Sequence, residues 1–165
     1  MNIVEELCDL ENVDGEEVVL LRTAALFHDS GFTIASQEHE KLGCDIVRGA
    51  LPYFGYSAQQ IEKICGMIMA TKIPQSPKNH LEKIMCDADL DYLGRDDFYT
   101  IGKSLFDELQ AFGILSDEKQ WNGIQVKFLQ GHFFHTKTNT QRRTPVKQMY
   151  LEELKTLVAS YDETS

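Results

Sequence analysis

The sequence predicts an all-α protein, with residues 1–165 forming a single domain of about seven to eight helices. Three observations favour this fold class. Apolar residues recur every three or four positions in most segments, as they do in helices that bury one face. Residues that cap helices precede several of these segments. No segment shows the period-two alternation of apolar and polar residues that is typical of a half-buried strand.

Capping residues, glycines and prolines divide the chain into eight predicted helices. The second of these is apolar nearly all round, so we expect it at the centre of the core. Ser57 and Gln60 match a capping box at the start of the fourth, and Ser36 is expected to cap the third. The two prolines of residues 71–80 predict a loop. The predicted helices cover residues 2–12, 16–27, 36–54, 57–68, 81–94, 96–112, 116–129 and 144–158.

The composition disfavours several classes of protein. Hydrophobic residues make up 42% of the chain and charged residues 25%, which is ordinary for a globular domain. No apolar run approaches the roughly 20 residues that span a membrane, and the acidic first residues lack the basic region of a signal peptide. The net charge of −10 disfavours binding to a nucleic acid polymer or to an anionic membrane surface.

The four cysteines are scattered along the chain without a CxxC pair. This spacing argues against a disulfide framework and against a thiolate zinc site. We therefore expect reduced and mostly buried thiols in a cytoplasmic protein. The cysteines are Cys8, Cys44, Cys65 and Cys86.

A histidine and an aspartate stand side by side where the second predicted helix ends, in the stretch AALFHDSGF at residues 24–32. Neighbouring residues inside a helix point about 100° apart and cannot easily share one ion. At a helix end released by Ser30 and Gly31, the side chains of His28 and Asp29 can turn toward one point. An imidazole and a carboxylate together suit a divalent metal that prefers nitrogen and oxygen ligands. The alternative is a helix-end histidine beside a capping aspartate.

Three aspartates open the stretch CDADLDYLGRDD at residues 86–97, on a predicted helix whose opposite face is apolar. Asp89 and Asp91 are easily solvated in this pattern. Asp87 is flanked by apolar residues on both sides, and a carboxylate in such surroundings requires a polar partner or a metal ion. Asp87 is therefore the aspartate that we expect at a functional site.

Three stretches in this order resemble the HD superfamily of metal-dependent phosphohydrolases: AALFHDSGF, EHEKLGCDIVRGALPYFGYS and IMCDADLDYLG. The resemblance covers about residues 16–95 and implies an all-helical fold. It also implies a metal ion held by a histidine, an adjacent His-Asp pair and a distant aspartate. The pair matches His28 and Asp29, and the distant aspartate matches Asp87. His39 stands where members of the family often carry a histidine that lines the site.

The resemblance implies hydrolysis of a small phosphorylated substrate, a nucleotide or another phosphoester, by a metal-activated water. The implied ligands His28, Asp29 and Asp87 suit one divalent ion, and Mn, Fe, Ni, Co and Mg are all compatible with them. Asp87 or His39 would accept or supply a proton. A zinc ion with a purely structural role is not expected, because such sites are usually built from thiolates.

The chain departs from the family pattern at three points. HDSG replaces the common HDIG, and a serine is tolerable at that position. Thr71 and Lys72 stand where members with two metals place another histidine, which favours a single metal. Residues 1–27 contain no histidine, although the family's first metal ligand is a histidine that precedes the HD pair. We expect an N-terminally truncated form of the domain; the alternative is a non-catalytic sensor or protein-interaction module that has lost full metal ligation.

A basic segment lies within the otherwise acidic chain. Residues 119–151 contain six Lys or Arg residues and no Asp or Glu. Guanidinium and ammonium groups bind phosphate oxygens strongly, so we expect this segment to fold over the metal cavity and contact the substrate. The alternative is a solvated face whose cations pair with carboxylates elsewhere in the fold. The candidate substrate-binding residues are Lys72, His132, Lys137, Arg142 and Arg143.

Overall fold

The computed structural model describes the backbone of residues 3–163 and the side chains of residues 3–161. Within this range the chain forms nine α-helices, three short 3-10 helices and no strand, which confirms the predicted all-α class. The predicted start of the first helix at residue 2 lies outside the described residues. None of the described helices combines the length and the apolar character needed to cross a membrane. The α-helices are α1 (Ile3–Leu10), α2 (Gly15–Phe27), α3 (His39–Ala50), α4 (Ala58–Ala70), α5 (His80–Asp89), α6 (Phe98–Ala111), α7 (Glu118–Gly131), α8 (Lys137–Arg142) and α9 (Thr144–Glu163). The 3-10 helices are Ser30–Thr33, Leu51–Phe54 and Asp91–Gly94.

The helices group into two compact units. The first unit runs through Leu90 and also contains His135–Thr138, so it holds α1 to α5. The second unit contains Asp91–Phe134 and the chain from Asn139 onward, and it holds α6, α7 and α9. The expectation that the whole chain forms one domain stays a prediction.

In the first unit, α2 is buried on one face only. Leu20, Leu21 and Ala24 are completely buried, and α2 packs against α1, α4 and α5. On the opposite face, Val19 is 49% exposed and Leu26 is 76% exposed. The face of α2 with Leu20, Leu21 and Ala24 therefore lies in the core, as predicted. The face with Val19 and Leu26 is exposed to solvent, which was not predicted.

A glycine fixes the turn that follows α2. The helix ends at Phe27, and the 3-10 helix Ser30–Thr33 begins three residues later. A Cβ atom added to Gly31 would lie 1.8 Å from the backbone oxygen of His39, so no side chain fits at this position. The Ser30 hydroxyl donates a hydrogen bond to the Phe27 carbonyl at 2.7 Å. This tight turn holds the first turn of α3 against the end of α2.

The helix starts follow the predicted capping signals in part. Ser57 and Gln60 form the predicted capping box of α4, with the Ser57 amide donating to Gln60 Oε1 at 2.7 Å. Ser36 does not cap α3, which differs from the prediction. The helix begins at His39, after Glu38 has adopted a left-handed backbone conformation with φ of 54°. The short helix α8 has no counterpart among the predicted helices.

Aromatic and capping contacts organise the second unit. Phe98 of α6 stacks on Tyr150 of α9 with the ring centroids 4.5 Å apart. Lys147 of α9 is only 5% exposed, and its ammonium group donates to the carbonyls of Leu129 and His132 at the end of α7. Burial lowers the pKa of this ammonium group. Lys147 therefore caps a helix from inside the unit.

Candidate functional site

The side chains of His28 and Asp29 meet at the C-terminal end of α2. His28 follows the last residue of the helix in helical conformation, and its Nδ1 lies 2.8 Å from the carbonyl oxygen of Ala25. Its Nε2 lies 3.1 Å from Asp29 Oδ2. The two neighbouring side chains therefore face one point, which the end of the helix makes possible.

Asp89, the last residue of α5, completes a three-residue cluster with His28 and Asp29. Its Oδ1 lies 3.2 Å from His28 Nε2, so the imidazole stands between two carboxylates. The side chain of Asp89 is 22% exposed and that of Asp29 is 61% exposed. One carboxylate is thus mostly covered by protein, and the other is open to solvent.

Asp87 is not part of this cluster, and here the structure differs from the sequence-based prediction. Residues two apart on a helix do not face each other, so Asp87 and Asp89 cannot both face His28. The Asp87 side chain is completely buried. It accepts hydrogen bonds from the His135 amide (2.8 Å), the Thr136 amide (2.9 Å) and the Thr136 hydroxyl (2.6 Å). Burial raises the pKa of Asp87, and these donors oppose that rise. Asp87 therefore anchors the segment that precedes α8.

The two carboxylates hold His28 in its protonated form. Burial alone would lower the pKa of His28, but hydrogen bonds and charge interactions with Asp29 and Asp89 outweigh burial and raise the pKa to about 10. The hydrogen bond with His28 in turn lowers the pKa of Asp29. The cluster contains more carboxylates than cations, so its electrostatic potential favours the approach of a positive ion.

His39, in the first turn of α3, approaches the same cluster. Its Nε2 lies 3.8 Å from Asp29 Oδ1 and 3.4 Å from Glu40 Oε1. Phe32 stacks on the His39 ring with centroids 3.8 Å apart and planes inclined by 20°. His39 Nδ1 lies 3.3 Å from the Ser36 carbonyl oxygen. A stacked ring and a hydrogen bond thus fix the orientation of this imidazole.

Glu40 is a residue of the site that sequence reasoning missed. Its side chain is 8% exposed, although its neighbour Lys41 is exposed. The available signal is weak, because a glutamate in the first turn of a helix is common for electrostatic reasons alone. α3 packs against the 3-10 helix Ser30–Thr33, and the local sequence does not reveal that contact.

The cluster offers the donor types of a divalent-metal site. Two donors that bind one ion at right angles, each about 2.1 Å from it, stand about 3 Å apart. His28 Nε2 lies at similar distances of 3.1 and 3.2 Å from Asp29 and Asp89. Within the described residues, however, no group of three or more His, Cys, Asp or Glu side chains is arranged ready to hold an ion. His28 would first have to release its proton, because only neutral imidazole binds a metal.

Two of the predicted substrate-binding residues belong to the first unit. Lys72 is exposed, and its Nζ lies 4.0 Å from Glu38 Oε1. Lys137 is exposed at the start of α8. Both side chains are exposed in the described part of the chain, and their role in binding a phosphate stays a prediction.

The other three predicted substrate-binding residues belong to the second unit. Arg143 donates from Nε to Asp91 Oδ1 at 2.9 Å. Asp91 is 1% exposed, so the expectation that this aspartate is solvated is wrong. His132 is buried and packs edge-on against Phe134 with the ring centroids 4.7 Å apart. Arg142 is half-buried. Arg143 and His132 thus already make contacts within the protein. Either residue could bind a substrate only while keeping those contacts or by giving them up.

No family model matches the chain, and no curated protein and no solved structure matches it. Membership of the HD superfamily therefore stays a prediction, supported by the quoted motifs and by the residues that surround His28.

Proposed function

We propose that the chain is a metal-dependent phosphohydrolase that acts on a nucleotide or another small phosphoester. The observation that carries the proposal is the position of His28 Nε2 between Asp29 and Asp89, at 3.1 and 3.2 Å. One imidazole and two carboxylates at the ends of α2 and α5, with a second histidine beside them, form a nitrogen and oxygen donor set that suits divalent ions. The all-helical fold agrees with the HD superfamily that the motifs resemble.

His28, Asp29 and Asp89 would hold one divalent ion, with Asp89 in the role that the resemblance to the HD superfamily implies for Asp87. A bound ion supplies an activated water and polarises a phosphoryl oxygen. Asp29 is the more exposed of the two carboxylates, so it faces the solvent from which water and substrate arrive. The Ala25 carbonyl holds His28 Nδ1 at 2.8 Å, and this contact orients Nε2 toward the other donors.

His39 is the candidate for proton transfer. During hydrolysis a bond forms between the water oxygen and phosphorus, the ester P–O bond breaks, and the leaving alcohol oxygen takes up a proton while the water loses one. His39 Nε2 lies 3.8 Å from Asp29 Oδ1 and 3.4 Å from Glu40 Oε1, so this imidazole is within reach of a proposed metal ligand without being one itself. Asp87 has no catalytic role in this proposal, because both of its carboxylate oxygens already accept hydrogen bonds.

The proposal is tested by the hydrolysis of para-nitrophenyl phosphate by the chelator-treated chain, with and without added Mn²⁺. We expect turnover to require the metal and to fall at least about a hundredfold, roughly 2.7 kcal/mol, in Asp89→Asn and His28→Gln. His80→Gln is the matched control, because His80 is half-exposed and pairs with Glu11 at 3.5 Å. Turnover that needs no metal and survives Asp89→Asn would overturn the proposal.

The proposed setting is the cytoplasm, and the proposed partner is a small phosphorylated molecule. The four cysteines are free and buried, which suits a reducing compartment. The net charge of −10 would repel a nucleic acid polymer, whereas a small phosphoester presents far less charge to the protein.

A non-catalytic sensor or protein-interaction module on the same helical scaffold is the second candidate. It is favoured by the pairing of His28, because Asp29 and Asp89 already balance the positive charge of the imidazole. Such a module would use the cluster as a structural ion pair and would not take up Mn²⁺. Metal binding in solution therefore separates the two candidates.

A further inference from the structure

A cavity of about 640 Å³ opens beside the candidate site, and all of its lining residues belong to the first unit. His28 and Asp89 are among them, so a molecule in this cavity touches two of the three proposed metal ligands. The volume lies within the range of about 300–1,000 Å³ that is usual for small-molecule sites. A phosphate group alone would fill only a small part of it.

The remaining walls of the cavity are mostly apolar. α2 contributes five residues, and four of them share one helical face, because they are spaced three, four and seven positions apart. α1 adds further apolar wall through Ile3, and α5 closes the cavity next to Asp89. The four that share a face are Val19, Arg22, Thr23 and Leu26, and the fifth is Ala25.

The exposure of these walls indicates an amphipathic occupant. Val19 and Leu26 are 49% and 76% exposed, so a ligand that covers them removes apolar surface from water, which favours binding. At His28 and Asp89, by contrast, the cavity is lined by charged groups, which pair with each other. Arg22 adds a solvent-exposed cation whose Nε lies 3.3 Å from Glu5 Oε1. A ligand with one charged end and one apolar end matches both parts of the cavity.

We propose that this cavity is the substrate pocket and that it selects phosphoesters whose alcohol part is apolar and about the size of one ring. The phosphate lies toward His28 and Asp89, where the proposed divalent ion would offset the negative charge of the carboxylates, and the apolar part lies along Val19 and Leu26. The proposal rests on the proposed hydrolase function and adds the substrate class to it. Compact polar phosphoesters leave the apolar walls in contact with water and therefore bind more weakly.

The test compares phenylphosphonate with methylphosphonate, two probes that share a phosphonate group and cannot be hydrolysed. Dissociation constants are measured by isothermal titration calorimetry on the full chain, with and without Mn²⁺. Phenylphosphonate should bind about tenfold more tightly, because its ring buries apolar surface. Leu26→Ser and Val19→Ser should each reduce this preference at least about threefold. Ile114→Ser changes an aliphatic residue of the second unit that is 62% exposed, and it should leave the preference unchanged.

The outcomes separate this proposal from the function on which it rests. Equal affinities of the two probes in the presence of Mn²⁺, or a phenyl preference that survives both serine variants, would overturn the substrate class and leave the hydrolase function standing. If neither probe binds in a Mn²⁺-dependent manner, both proposals are overturned. A wild-type chain that sediments as a dimer, with Leu26→Ser as a monomer, would show that a second copy of the chain covers the pocket, and this would also overturn the assignment.

Discussion

At the scale of single residues, the choice between Asp87 and Asp89 decides the composition of the site. The meeting of His28 with Asp29 can be predicted, because it depends only on where a helix ends. The direction of each aspartate cannot be predicted from the local sequence. Asp87 faces donors at His135 and Thr136, which lie 48 and 49 residues further along the chain.

The protonated state of His28 predicts how stability depends on pH in the metal-free protein. The pKa of His28 rises from 6.5 to about 10 on folding, so the folded chain keeps a proton that the unfolded chain releases. The resulting stabilisation is complete below about pH 6.5 and is lost as the pH rises through about 10. We expect His28→Gln to lower the free energy of unfolding by about 1–2 kcal/mol at pH 6, a value reduced by the solvent exposure of Asp29, and by much less near pH 10.

Urea denaturation of the wild type and of His28→Gln at several pH values measures this difference. His80→Gln serves as the control, because the side chain of His80 is 50% exposed and its replacement should change stability little. A difference between wild type and His28→Gln that stays constant from pH 6 to pH 10 would contradict the protonated assignment.

Phe32 should act as a positioning residue for His39. Phe32 is 52% exposed, so Phe32→Ala should cost no more than about 0.5–1.5 kcal/mol of stability. Turnover of para-nitrophenyl phosphate should fall about tenfold with little change in KM, and Phe32→Tyr should restore it. The imidazole NMR resonances of His39 should move in Phe32→Ala and not in Phe32→Tyr. Resonances that stay in place would show that the stack does not hold the ring.

At the scale of elements, local signals predict helices well and fail where a tertiary contact sets the boundary. The capping box of Ser57 and Gln60 forms as expected, because both partners lie within one turn. Ser36 fails as a cap, because α3 begins only where the His39 backbone packs against Gly31. The sequence contains no local sign of that contact.

The segment before α8 should depend on the hydroxyl of Thr136. Burial raises the pKa of Asp87. At neutral pH the ionised carboxylate therefore lowers the stability of the folded state relative to a protonated Asp87. Thr136→Val removes a donor to the ionised form, and we expect it to lower the free energy of unfolding by about 1–3 kcal/mol at pH 7. The loss should be smaller near pH 4, where more of Asp87 is protonated.

Chemical denaturation at the two pH values tests the role of Thr136. The matched control is Thr156→Val, since the exposed Thr156 hydroxyl only donates to the Glu152 carbonyl of its own helix. This control should change stability by no more than about 0.5 kcal/mol. Equal losses for Thr136→Val at both pH values would argue against a special role toward the ionised carboxylate.

At the scale of the whole molecule, the basic segment is the feature that the sequence explains least. Its cations serve different purposes: Lys147 caps α7, Arg143 pairs with Asp91, and Lys137 is exposed. Composition reveals an excess of positive charge along the chain. It does not reveal which charges are buried, because burial depends on partners that are distant in sequence.

Two variants of the basic segment should therefore behave differently. Arg143→Ala leaves the buried carboxylate of Asp91 without its closest cation, and we expect a loss of about 2–4 kcal/mol in the free energy of unfolding. Asn139 still donates to Asp91 at 3.0 Å, so the unit should remain folded. Lys137→Ala should change stability by no more than about 0.5 kcal/mol. Chemical denaturation measures both, and similar small effects would contradict the structural role of Arg143.

The most direct test of the central claim, that His28, Asp29 and Asp89 hold a divalent ion, is a Mn²⁺ titration of the metal-free chain. Electron paramagnetic resonance reports the free ion. A site built from these three residues should bind one ion per chain, with an affinity at least about tenfold weaker in Asp89→Asn, a loss of roughly 1.4 kcal/mol. Asp45→Asn, at an exposed aspartate of α3, should bind as the wild type does. A wild-type chain that binds no Mn²⁺, or an Asp89→Asn variant that keeps the wild-type affinity, would show that these residues do not hold the ion.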